Sequence, residues 1–177
     1  MSTRAVIARV SGEGQFKGRY SHFDGYPSGL GATLFALYRG HFGRNLKKML
    51  KFLLDDHKAG WSILGEVNFD QPAGFLEYPH KFVAGESGPV CYCHGDRHEK
   101  AQLLTEKNAS GAGAEWAYAF DPETRTMLVL SSYCGPGDFE GRKMIGAFGF
   151  GDPHATWKVV ASVDLDGEEP DWEKMQE

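Results

Sequence analysis

The apolar residues of this chain keep a period of two near both ends and a helical period only in between. "TRAVIARV" and "QFKGRYSHF" are β-rich runs joined by "SGEG", a glycine-bearing connection of the kind that closes an antiparallel hairpin. "EWAYAFDPETRTMLVL" gives a second hairpin: Trp116, Tyr118 and Phe120 alternate with small residues, a Pro-containing turn follows, and Met127 to Leu130 returns. "TWKVVASVDL" alternates strictly, which places Trp157, Val159, Ala161, Val163 and Leu165 on one face of a half-buried strand. Between these regions Leu30, Thr33, Leu34, Leu37 and Tyr38 recur at helical spacing. Leu46, Met49, Leu50, Leu53 and Leu54 then repeat it, with Asn45 placed to cap the second run and Gly60 just past its end. A chain that switches period in this way folds as α+β: an antiparallel β-sheet of two hairpins and the 156–165 strand, with two short helices packed on one face.

The 23 glycines are nearly twice the usual share of about 7%, so the fold is loop-rich. Residues 66–90 hold no sustained period and read as a long irregular excursion. Residues 1–166 form one domain, and the acidic end "DGEEPDWEKMQE" is expected as a tail or surface helix over 167–177.

A net charge of -5 without a Lys/Arg block argues against non-specific nucleic-acid binding, which depends on neutralising phosphates. No apolar run reaches the length of a membrane span, and "MSTRAVIARV" lacks the regions of a signal peptide, so the expected place is the cytosol. Three cysteines are an odd number for a disulfide framework and suit a reducing compartment.

"HFDGYPSGLG" is the densest chemistry in the chain. If the second strand continues through Phe23, His22 and Asp24 share one face and can act as a pair on a proton. Gly25 releases the strand, Pro27 holds Tyr26 extended, and Ser28 stands where a helix N-cap belongs. Gly29 and Gly31 would then leave first-turn amides open to an anion such as a nucleotide or another phosphate, with His22, Asp24, Tyr26 and Ser28 around it. Neither the Walker spacing nor the third glycine of the dinucleotide motif is present. The same glycines also serve a purely structural strand-to-helix turn.

"HFDGYPSGLG", "CYCHGDR" and the hairpin around "DPETRTMLVL" together resemble an uncharacterised family of small actinobacterial and actinobacteriophage proteins with an HxDGYPxGxG-like motif. Phe23 stands where that pattern has Trp. The resemblance implies a phage or host cytosol and no particular activity.

"CYCHGDRH" places Cys91 and Cys93 on one face of an extended segment, with His98 reached after a turn and His94 or Cys134 available as a fourth donor. Thiolates and imidazoles are zinc's preferred ligands, and four protein donors make a structural site. Plain buried thiols, or Cys93 as a nucleophile beside His94 or His98, are the competing readings; Ser2, exposed by removal of Met1, is another candidate nucleophile. Three functions follow: a protein holding a small anionic ligand at the glycine turn, a factor that binds or inhibits a host protein, and a hydrolase using His22 and Asp24.

Overall fold

A computed structural model describes residues 2–74, 82–94, 97–133 and 156–176. The chain opens with strands β1 (Ala5–Gly12) and β2 (Gln15–Ser21), paired antiparallel. A π-helical turn, Pro27–Gly31, runs directly into helix α1 (Ala32–Arg39). Helix α2 (Leu46–Leu50) starts under Asn45, whose side chain accepts the Lys48 amide at 3.0 Å, and continues as a π-helical stretch over Lys51–Asp56. The strands that follow are β3 (Trp61–Ile63), β4 (Val90–Cys91), β5 (Leu104–Thr105), β6 (Trp116–Asp121), β7 (Thr126–Tyr133) and β8 (Thr156–Asp164).

Among the described residues they form one sheet in the order β4-β3-β2-β1-β6-β7-β8, with β5 also on β2. The class is α+β, as the periodicity predicts, but the sheet is mixed rather than antiparallel. β6 lies parallel to β1, and β3 parallel to β2. The second pairing follows from chain path, because the two helices carry the chain back across the sheet before β3 forms. The first joins the two hairpins side by side, a contact that no local pattern encodes.

Both faces are covered. Ile7, Tyr118, Phe120, Met127 and Val129 meet the helices through Leu34, Tyr38, Met49 and Leu53. On the other face Val6, Ala8, Phe16, Ala117, Ala119 and Leu130 are roofed by Leu104, Ala109 and Ala114. Burial on two sides explains why β7 is apolar at every position of "MLVL".

β8 departs from strict alternation. Its register against β7 shifts between Val129 and Leu130, so that Ala161 opposes Val129, Val159 opposes Leu130, and Val160 is the extra residue of a β-bulge. Ala161, Val163 and Leu165 therefore pack on the helix side, whereas Trp157 packs on the opposite side, edge-on to Phe16 at 5.3 Å.

The acidic end is docked rather than trailing. Trp172 is buried against Phe35, Gln176 donates to the Ser28 hydroxyl at 2.7 Å, and Arg39 donates to the carbonyls of Leu165 and Gly167. One buried indole outweighs the acidic surroundings that suggested a tail. No helix among the described residues is long and apolar enough to cross a membrane.

Candidate functional site: a carboxylate-rimmed pocket beside a cysteine–histidine cluster

β2 ends at Ser21, one residue before the motif. The His22 amide donates to the Trp61 carbonyl at 3.0 Å, and the His22 ring bonds the Tyr20 hydroxyl through Nδ1 at 2.8 Å. Burial, with Arg4 and Arg97 nearby, holds the His22 imidazole below its ordinary pKa. Asp24 adopts a left-handed conformation, φ 54°, which turns the chain sharply. Its carboxylate faces the Tyr26 hydroxyl at 3.5 Å, and that negative charge raises the phenol's pKa. His22 and Asp24 thus have separate partners. The expected same-face pair does not form because the strand ends before period-two geometry can reach Asp24.

The helix start also differs from expectation. Tyr26, not Ser28, is the cap residue, no side chain caps the turn, and Pro27 begins it. The Gly29 amide donates to the Tyr26 carbonyl at 3.0 Å and the Leu30 amide to the Asp24 carbonyl at 2.7 Å, so these first-turn donors are already spent. A side chain at Gly29 would meet the Asp24 carbonyl oxygen at 2.4 Å; at Gly31 it would press on Tyr118 and Trp172 at 3.0 and 3.2 Å. Both glycines permit close packing, and neither presents an open nest.

What the motif does build is a cavity of about 510 Å³ between the turn, the end of β3 and the segment from Phe82. Phe23, Tyr26 and Phe82 give it aromatic walls, Asp24 and Glu66 bring carboxylates, and Thr33 a hydroxyl. No Lys, Arg or His is among its described lining residues. Glu66, like Asp24, is left-handed (φ 54°), and its carbonyl accepts the Gly85 amide at 2.7 Å, tying the outer loop to the rim. Of the motif residues expected to hold a ligand, Asp24, Tyr26, Ser28 and Gly29 line this cavity; His22 and Gly31 do not.

A second constellation gathers where the end of the second helical segment meets β4. His57, just beyond the second helical segment, meets Cys91, Cys93 and His94, and one ligand atom from each lies within 4.8 Å of all the others. Cys91 is carried by β4, opposite Trp61. Its sulfur stands 3.0 Å from His94 Nδ1, while the Ala59 amide donates to Cys93 Sγ at 3.1 Å. Burial pushes the Cys91 thiol up and the His57 imidazole down to about 4. His98, expected as a ligand, is exposed and outside the cluster, left-handed at φ 40°. Cys134 lies outside the described residues. His57 was missed because it is remote in sequence. Its one signal is position: a His just past the second helical run, three residues before Gly60.

The residues considered as nucleophiles have these partners among the described residues. His94 faces Cys91 rather than Cys93, and the Ser2 hydroxyl donates to the His22 carbonyl. Comparison of the chain with protein-family models, with curated proteins and with solved structures finds no match.

Proposed function

We propose that this is a small-ligand-binding protein whose pocket takes a compact organic cation, an amine flanked by apolar carbons. The observation that carries this reading is the pairing of Asp24 and Glu66 with the aromatic groups of Phe23, Tyr26 and Phe82 around one cavity that has no Lys, Arg or His among its described lining residues. Carboxylates attract an ammonium group, and aromatic faces add cation–π attraction of about 0.5–2 kcal/mol. The same lining repels a phosphate, so the anionic ligand suggested by the glycines is the weaker reading. A reducing cytosol suits the free thiols of Cys91 and Cys93.

Calorimetric titration with a panel of mono- and diamines, inorganic phosphate and ATP tests the reading. Binding confined to amines, weakened about tenfold by Asp24→Asn, supports it. Binding of phosphates alone would restore the anion reading, and binding of neither would leave the cavity without this role.

A further inference from the structure

We infer that His57, Cys91, Cys93 and His94 form a tetrahedral site for one zinc ion, which fastens the end of the second helical segment to the β3–β4 edge of the sheet. The inference is independent of the ligand pocket.

Chemistry and geometry agree on the metal. Two thiolates and two imidazoles are a donor set that zinc takes in structural sites. Around tetrahedral zinc, with Zn–S about 2.3 Å and Zn–N about 2.0–2.1 Å, donors stand roughly 3.3–3.8 Å apart. The four donors here, mutually within 4.8 Å, need only draw together slightly. A two-iron cluster would divide its cysteines and histidines between separate irons, which spreads the donors further than this arrangement allows.

The cluster also carries an unmet demand. His57 is buried, and its Nδ1 has no hydrogen-bond partner. A buried polar atom left unpaired is costly, and a metal bound through Nδ1 would remove that cost. The wall behind it is apolar: Phe52 and Trp61 pack on the His57 ring at 4.9 and 4.5 Å. As Zn²⁺ binds, the two thiol protons pass to solvent, and the resulting dithiolate centre is neutral, which suits that wall. The Ala59 amide that points at Cys93 Sγ supports the thiolate form.

Four protein donors close the coordination sphere, so the metal is structural rather than a carrier of activated water. Its ligands come from either side of β3: His57 precedes it, while the other three sit on and after β4. The ion therefore clamps a short edge that otherwise rests on few hydrogen bonds.

The test uses the untagged full chain, purified without chelator. Elemental analysis should find one zinc per chain. Replacement by Co²⁺ should give the strong visible bands of a tetrahedral site with thiolate-to-cobalt charge transfer. Cys93→Ser should lose roughly half of that charge transfer, since one of two thiolates is gone. His57→Ala should weaken cobalt binding by at least about 10–100-fold, the loss that even outer-sphere partners cause, while His98→Ala should leave it unchanged. Should the ligand variants fail to fold, chelation of the wild type decides: one zinc should leave as two thiols become reactive. A folded protein that takes up neither zinc nor cobalt, a spectrum without charge transfer, iron at two per chain, or equal loss in His98→Ala and His57→Ala would each overturn the assignment.

Discussion

The indole of Trp61 lies against the imidazole of His57, ring centroids 4.5 Å apart, while its own backbone carbonyl holds the amide of His22. One residue thus touches the cysteine–histidine cluster and the start of the pocket motif. Its Nε1 also donates to the Leu53 carbonyl at 2.9 Å in the core. Trp61→Phe should therefore cost about 1–3 kcal/mol from the orphaned carbonyl, and Trp61→Ala about 3–5 kcal/mol. Urea denaturation checks both; equal and small losses would mean that neither the hydrogen bond nor the ring matters.

The docked C-terminal segment makes a second prediction. Trp172 packs on Phe35 and shields Gly31, so Trp172→Ala should destabilise by about 3–5 kcal/mol. Truncation after Asp166 should match it. A truncated chain as stable as the full one would contradict the docking.

Acid should loosen the same region. Arg125 above all, with Tyr38 and Arg44, holds the Asp166 carboxyl down from 3.8 to about 2. A depressed carboxylate pKa means that the unfolded chain takes up the proton first. The stabilisation is complete above about pH 4 and is lost as pH falls toward 2. Asp166→Asn should flatten that limb of the stability–pH curve, and an unchanged limb would exclude Asp166 as its source.

Glu66 holds a left-handed backbone at φ 54°, which costs a residue with a side chain about 1–2 kcal/mol. Glu66→Gly should relieve the strain, with a net gain of up to about 1 kcal/mol after the added chain entropy. Amine affinity should fall in the same variant. Higher stability with full affinity would remove Glu66 from the binding role.

Local patterns were legible in the sequence and distant ones were not. The two hairpins, both helical stripes and the Asn45 cap follow from periods and capping chemistry within a few residues. The parallel alignment of Ala5 with Trp116 depends on how two finished hairpins meet. The Val160 bulge hides in a run of alternation because Val159 and Val160 are both apolar and both exposed. At the motif, glycines suggested open amides, yet Asp24 and Tyr26 supply carbonyls that occupy them. The metal-ligand type was readable from Cys91 and Cys93, but His57 joins them only through the fold.

Amide chemical-shift mapping during titration with a small diamine reports where a cation sits as well as whether it binds. A cation held in the pocket should give saturable shifts centred on Asp24, Tyr26, Thr33, Glu66 and Phe82, abolished in the Asp24→Asn, Glu66→Gln double variant. Shifts scattered over the acidic surface without saturation, or a response at Gly29 to Gly31 to phosphate alone, would contradict it.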